Sequence, residues 1–180
     1  AVVQVDNHGI GECERRFAIS KNVADRLKRF NGLDADVLYP PVEDRELWPE
    51  SYEPFVLSAA RLDDLKRIEA LIRAWPRVSE PLRLVVASDG PLRERLEGLS
   101  ASLGVAHRID FVGRVSDDDL ARLFRTCRAV YYAPVDEDYG YVTVEAHAAG
   151  KPVIAAPDSG GVLEFVRDGE TGIVTQLDPG

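Results

Sequence analysis

Residues 129–156 read AVYYAPVDEDYGYVTVEAHAAGKPVIAA and contain a complete strand–helix–strand unit. The apolar run Ala129–Ala133 predicts a buried strand, and the helix predicted over about 140–149 ends at Gly150. A second apolar run, Val153–Ala156, follows directly. Two buried strands joined by a helix are typical of a parallel sheet that helices cover on both faces.

The same alternation continues on both sides of this unit. Further strands are predicted at residues 55–58, 82–87, 109–112 and 172–174, with helices over about 65–77, 91–103 and 161–167 and another after Ser116. The sequence therefore predicts an α/β fold, a doubly wound, Rossmann-like parallel sheet. Such sheets bind ligands at the carboxyl ends of their strands, so the loops after these strands are the candidate site.

Composition excludes several classes of protein. The 180 residues suffice for one compact domain, or for one domain and part of another. Asp and Glu outnumber Lys and Arg by 31 to 22, and this net charge of −9 argues against a nucleic-acid partner. Cys13 and Cys127 match no metal-ligand spacing and favour a reducing compartment. No apolar run reaches the roughly 20 residues of a membrane-spanning helix.

The first part of the chain is less regular. A short strand is predicted at Arg16–Ile19, a helix capped by Ser20 over 21–30, and a strand at Val37–Tyr39. The acidic, proline-containing stretch Pro41–Pro54 predicts a linker or surface loop, which gives two domains, 1–40 and 41–180. Because the chain starts at Ala1 and contains no Met, we expect it to be part of a longer protein.

Two cations follow the strand at 55–58. Arg61 offers a planar fork for phosphate oxygens, and Lys66 offers a mobile point charge at the start of the next helix. An anionic ligand is one interpretation. The alternative is a pair of solvated surface cations.

A second candidate site lies between the strand at 129–133 and the following helix. Gly140 permits a close approach of the backbone, and the N–H groups of Gly140, Tyr141 and Val142 form an anion site at the helix N-terminus. Glu137 and Glu145 flank it, and carboxylates accept hydrogen bonds from sugar hydroxyls. The alternatives are an acid that complements the helix dipole for Glu137 and a solvated helix position for Glu145.

These motifs together resemble a known family. Residues 54–175 are similar to the C-terminal nucleotide-sugar-binding domain of the GT-B glycosyltransferases, specifically glycosyltransferase family 4 and its E-D-[FY]-G subgroup. The resemblance is carried by Arg61-Leu62-x-x-x-Lys66, Phe111-Val112-Gly113-Arg114-Val115, Glu137-Asp138-Tyr139-Gly140 with Glu145, Ala149-Gly150-Lys151-Pro152-Val153 and Gly160-Gly161-x-x-Glu164. Residues 17–42 resemble the end of that family's N-terminal domain and the crossover to the second domain. The resemblance stops at Gly180, so it implies that the chain is the second half of a longer enzyme and lacks the family's C-terminal helices.

The resemblance implies a function. It implies retaining transfer of a hexose, with mannose as one candidate, from a GDP- or UDP-sugar to an acceptor hydroxyl, without a metal or a prosthetic group. Glu137, Arg61 and Lys66 would be catalytic. The residues implied to bind the donor are Arg61, Lys66, Gly113, Arg114, Val115, Gly140, Tyr141, Val142 and Glu145. The backbone of 113–115 would border the base, and Glu145 would bind the ribose.

The resemblance also implies partners and a location. A glycan or lipid-linked acceptor would bind the missing N-terminal domain, in the cytoplasm and at the inner face of the membrane. Arg15, Arg16, Lys21, Arg26, Lys28 and Arg29 form a basic cluster that suits anionic lipid, with a solvated helix face as the alternative. A sugar-nucleotide epimerase of the same fold and a non-catalytic nucleotide-binding module stay open as other functions.

Overall fold

The computed structural model describes residues 8–42 and 46–177 and confirms the alternation of strands and helices. The strands are β1 (Phe17–Ala18), β2 (Asp36–Val37), β3 (Phe55–Ser58), β4 (Arg83–Val86), β5 (Ile109–Phe111), β6 (Ala129–Tyr131), β7 (Val153–Ala155) and β8 (Gly172–Val174). The helices are α1 (Lys21–Asn31), α2 (Ile68–Ala74), α3 (Arg93–Ser102), α4 (Asp117–Thr126) and α5 (Tyr141–Ala148), and residues 8–11 are also helical. Residues 1–7 and 178–180 of the predicted domains and 43–45 of the predicted linker lie outside the described residues.

The main sheet is parallel throughout and has the strand order β5–β4–β3–β6–β7–β8. All residues of β3 are buried, as its unbroken apolar run predicts for a central strand of a parallel sheet. The chain moves outward from β3 to β5, returns to β6 on the other side of β3, and continues to β8. The strand order therefore reverses between β3 and β6, and ligands of such sheets bind at this switch point.

Two predicted helices differ from the structure. The segment at 65–77 is not one helix, because Arg67 adopts a left-handed backbone with φ 52° and separates the 3-10 turn Asp64–Lys66 from α2. A further 3-10 turn, Trp75–Arg77, ends that segment. The helix predicted at 161–167 is only a 3-10 turn, Gly161–Glu164, because its backbone bonds join residues three apart, as from Leu163 N to Gly160 O at 3.0 Å.

The N-terminal segment forms the elements that the sequence predicts. Helix α1 begins after Ser20, whose Oγ accepts a hydrogen bond from Val23 N at 3.0 Å, and ends at Gly32 with φ 70°. Strands β1 and β2 pair in parallel beside it and form a sheet of their own. The segment therefore has local structure that is separate from the main sheet.

Two glycines provide a test of the packing. A Cβ at Gly172 would lie 2.1 Å from the carbonyl oxygen of Val153 on the adjacent strand, whereas a Cβ at Gly98 in α3 would meet nothing within 4 Å. We expect Gly172→Ala to lower the free energy of unfolding by about 1–3 kcal/mol. Gly98→Ala, the matched control, should raise it by about 0.5–1 kcal/mol, because alanine loses less entropy in a helix. Urea unfolding of both variants measures this, and equal stabilities would show that the β7–β8 contact is wrong.

Candidate functional site

The structure brings Lys66 and Glu137 into contact at the switch point. The Lys66 Nζ donates to Glu137 Oε2, and each side chain is only 21% exposed. Lys66 lies in the 3-10 turn after β3, where Asp63 Oδ1 accepts from Lys66 N at 3.2 Å, and Glu137 lies in the loop after β6. Two residues that the sequence assigns to one site are thus adjacent in space. Their pairing with each other was not predicted.

Tyr132 is a third member of this group. Its hydroxyl accepts from Lys66 Nζ at 3.4 Å, and its ring is 5% exposed. Burial raises the pKa of Tyr132, and the charge of Glu137 and a hydrogen bond with its carboxylate raise that pKa further. The phenol therefore stays protonated and interacts with both members of the Lys66–Glu137 pair. Sequence reasoning missed it because Tyr131 and Tyr132 end an apolar run and resemble ordinary core residues.

Arg67, next to Lys66, joins the loops that follow three strands. Its Nε donates to Ala133 O at 2.6 Å and its Nη2 to Pro134 O at 2.7 Å, both after β6. The two terminal nitrogens also hold the carboxylate of Asp158, after β7, with both distances 2.8 Å. The guanidinium lowers the pKa of Asp158 through these hydrogen bonds. Nothing in the sequence pattern distinguishes Arg67 from a surface cation.

Backbone hydrogen bonds reinforce the same arrangement. Val135 N donates to Leu65 O at 2.9 Å, and Asp136 N donates to Asp158 O at 2.9 Å. The residues on the N-terminal side of Lys66 and Glu137 are thus fixed to neighbouring loops. The position of the ion pair follows from backbone contacts as well as from its own charges.

Gly140 begins α5 with φ 87°, and this end of the helix has no side-chain cap. A Cβ at Gly140 would lie 2.8 Å from Val162 Cγ2 and 3.1 Å from the Tyr132 ring, so only glycine fits here. Tyr141 is exposed and Val142 half-buried in the first turn, and half-buried Glu145 follows one turn later. The structure thus provides an uncapped helix N-terminus next to the Lys66–Glu137 pair.

Arg61 and Arg114 form a second group. They line an open cavity of about 580 Å³ with Ser88, Asp89, Gly90 and Pro91. The Arg61 side chain is exposed, and its Nε lies 3.9 Å from Asp63 Oδ2. Gly113 is buried and has a φ of 74°, and Val115, the residue after Arg114, is half-buried. The predicted residues therefore lie in two places, around Tyr132 and around this cavity.

Within residues 8–42 and 46–177, no group of three His, Cys, Asp or Glu side chains has the spacing to hold a metal ion. No helix in those ranges is long and apolar enough to span a membrane.

The sequence matches the family described as "Glycosyl transferases group 1" over residues 43–177. An uncharacterized glycosyltransferase of Methanocaldococcus jannaschii is 37% identical over 131 residues, which are 72% of this chain and 33% of that protein. The D-inositol 3-phosphate glycosyltransferase of Nocardia farcinica is 30% identical over 193 residues, covering 93% of this chain and 42% of that protein. The chain thus spans well under half the length of these relatives.

Solved structures have the same fold. Sucrose-phosphate synthase from Thermosynechococcus elongatus superimposes with a TM-score of 0.82 and 26% identity, over 98% of this chain and 49% of that one. Anabaena HepE in complex with UDP and glucose superimposes with a TM-score of 0.82 and 24% identity, over 96% of this chain and 52% of that one.

Arg67 allows a test of what holds the site. Both Arg67→Ala and Arg67→Gly remove the guanidinium. Alanine keeps a Cβ at a φ of 52°, whereas glycine adopts this left-handed conformation without strain. Both variants should be less stable than the wild type, and Arg67→Gly should be the more stable of the two by about 1 kcal/mol. Thermal and urea unfolding measure the order. An alanine variant as stable as the wild type would contradict the structural role of the guanidinium.

The lowered pKa of Asp158 predicts a pH dependence of stability. Because the pKa of this carboxyl in the folded chain is below its ordinary value of 3.8, the Arg67–Asp158 pair contributes stability above about pH 4. That contribution is lost as the pH falls through the folded-state pKa. Asp158→Asn should lower the melting temperature at pH 7, and the melting temperature of this variant should fall less steeply below pH 4 than that of the wild type. The control Asp25→Asn, on the exposed side of α1, should show neither effect. Melting temperatures from pH 2 to pH 8 check this, and parallel curves for wild type and Asp158→Asn would refute it.

Proposed function

The chain belongs to the glycosyl transferases group 1 family, and from this premise we propose that it is the donor-binding part of a sugar-transferring enzyme. Its sheet of six parallel strands is that of the C-terminal domain of GT-B glycosyltransferases. The observation that carries the proposal is the Lys66–Glu137 pair beside the uncapped N-terminus of α5. The assignment to family 4 and to its E-D-[FY]-G subgroup is part of the proposal.

The donor is a nucleoside diphosphate sugar, a GDP- or UDP-sugar. Lys66, Arg61 and the N–H groups of α5 supply positive charge without a large basic surface, which suits a diphosphate in a chain of net charge −9. The UDP complex of Anabaena HepE, which has the same fold, supports a nucleoside diphosphate in general. On binding, Lys66 exchanges the Glu137 carboxylate for phosphate oxygens, and Glu137 then accepts hydrogen bonds from donor-sugar hydroxyls.

The proposed reaction breaks the bond between the anomeric carbon and the phosphate oxygen and forms a bond to the acceptor oxygen on the same face. The proton of the acceptor hydroxyl passes to the leaving phosphate. As that bond breaks, negative charge grows on the diphosphate, and Lys66, Arg61 and the α5 N-terminus stabilise it. One such preorganised donor is worth about 10²–10³ in rate. The transferred sugar is proposed to be a hexose, with mannose as one candidate, and the transfer to be retaining.

The other predicted residues complete the donor site. Glu145, one turn into α5 and half-buried, is proposed to accept hydrogen bonds from the ribose. The backbone of Gly113, Arg114 and Val115 is proposed to border the base. In support, Arg114 lines the 580 Å³ cavity together with Arg61, so the base and the diphosphate would have adjoining sites.

The acceptor, the location and the division of the chain are also proposals. Residues 1–40 are proposed as the end of an N-terminal domain that binds a glycan or lipid-linked acceptor, and 41–180 as the donor domain. The family match from residue 43 supports this boundary. The enzyme is proposed to work in the cytoplasm, at the inner face of the membrane. The exposed cations Lys21 and Arg29 support membrane contact, whereas Arg15, Arg26 and Lys28 of the same cluster already pair with carboxylates.

Nucleotide binding tests the proposal. We expect one member of a panel of UDP-glucose, GDP-mannose and ADP-glucose to raise the melting temperature, since a ligand that binds only the folded state stabilises it. Arg61→Ala and Glu145→Ala should each weaken that binding by more than roughly 1 kcal/mol, about fivefold in Kd. Isothermal titration calorimetry measures the change.

The matched control is Arg128→Ala, which removes an exposed cation directly before β6, at the amino ends of the strands and so away from the candidate site. It should bind as the wild type does. If calorimetry detects no nucleotide at millimolar concentration, the proposed function is wrong. The family match favours neither the epimerase nor the non-catalytic module.

A further inference from the structure

The loop that carries Glu137 has a second set of contacts, from α1 in the N-terminal segment. We call residues 136–138 the Glu137 loop. Asn22 Nδ2 donates to Asp136 Oδ1 at 2.9 Å and to Glu137 O at 3.0 Å. Arg26, one turn further along α1, donates through Nη1 to Asp136 Oδ2 at 3.3 Å and through Nη2 to Asp138 Oδ1. Two side chains of α1 thus bind three consecutive residues of this loop.

These contacts hold a strained backbone. Asp136, directly before Glu137, has φ 44°, a conformation that residues with a Cβ rarely adopt. Such a residue keeps its conformation only where the surrounding structure fixes it, at a cost of order 1–3 kcal/mol. Both oxygens of its carboxylate are engaged, one by Asn22 and one by Arg26. Together with Gly161 N, which donates to Glu137 O at 2.7 Å, the two side chains of α1 stabilise the conformation that places Glu137 next to Lys66.

Helix α1 is itself fixed against the main domain at the point where Asn22 lies. The Glu164 carboxylate accepts hydrogen bonds from Lys21 N at 3.1 Å and Asn22 N at 2.9 Å. The Tyr39 hydroxyl donates to the same carboxylate at 2.7 Å. Anchored in this way at the first turn of α1, Asn22 meets the Glu137 loop in a fixed position.

We propose that Asn22 and Arg26 are positioning residues for Glu137, and that contact with the donor sugar therefore depends on a segment outside the donor domain. This inference rests on the proposed function, in which Glu137 binds hydroxyls of the donor sugar and Arg61, Lys66 and α5 bind the diphosphate. Asn22 touches the Glu137 backbone itself, whereas the contacts of Arg67 lie at Ala133, Pro134 and Asp158. Loss of the α1 contacts should then misplace Glu137 and leave the diphosphate site intact.

The test compares a nucleotide sugar with the nucleoside diphosphate that lacks the sugar. The variants are Asn22→Ala, Arg26→Ala and the double variant, made in the 180-residue chain. The matched control is Lys28→Ala, on the same helix, whose ammonium pairs with Asp34 and not with the Glu137 loop. Calorimetry measures Kd for UDP-glucose and for UDP. If GDP-mannose is the nucleotide sugar that stabilises the wild type, Kd is measured for GDP-mannose and GDP instead.

We expect each single variant to weaken binding of the nucleotide sugar by about 3- to 10-fold, the size of one lost hydrogen bond. Binding of the nucleoside diphosphate should change by less than about twofold. A variant that weakens both ligands equally, or neither, overturns the positioning role. A purely structural role would lower the melting temperature without separating the two ligands.

Hydrogen exchange gives a readout that needs no ligand. The amides of 136–138 should exchange faster in Asn22→Ala and Arg26→Ala than in the wild type and in Lys28→Ala. Unchanged exchange in this loop overturns the inference even where the nucleotide binds. If the wild type binds no nucleotide but the loop exchanges faster in the variants, the α1 contact is real and the proposed function has failed.

Discussion

The arrangement of the candidate site depends on the guanidinium of Arg67. This residue follows β3, and its N–H donors reach the loops after β6 and β7. It binds two carbonyl oxygens after β6 and the Asp158 carboxylate after β7. The backbone of the same residue is left-handed, so the chain turns there and Lys66 is separated from α2. Together with the Val135 N–Leu65 O hydrogen bond, Arg67 thus sets the direction of the loop after β3 and holds that loop against the loop after β6.

The fold could be predicted from sequence because its signals are local. A buried strand requires a run of apolar side chains, and a helix requires a start and a stop, such as Ser20 and Gly32 around α1. Gly140 was also predictable, since a close backbone approach at a helix N-terminus requires glycine. These features are determined by residues close together in the chain.

The contacts within the site were less accessible, because they join residues far apart in sequence. Lys66 and Glu137 are separated by 71 positions, and Arg26 and Asp136 by 110. Each of these residues taken alone resembles an ordinary surface charge. The left-handed backbone of Arg67 is likewise imposed by its surroundings and not by residue type, whereas aspartate, as at position 136, adopts this conformation more readily than most residues. Tertiary contacts hold both positions, and both flank the Lys66–Glu137 pair.

The charges of Lys66 and Glu137 compensate each other. In the proposed donor site, inorganic phosphate would replace the carboxylate on Lys66 but would leave the half-buried Glu137 without its cation. A free sugar has hydroxyls for Glu137 but no anion for Lys66. A molecule with an anion and hydroxyls in one covalent structure compensates both groups together. In that proposed site, the salt bridge would therefore disfavour small metabolites that contain half of a nucleotide sugar.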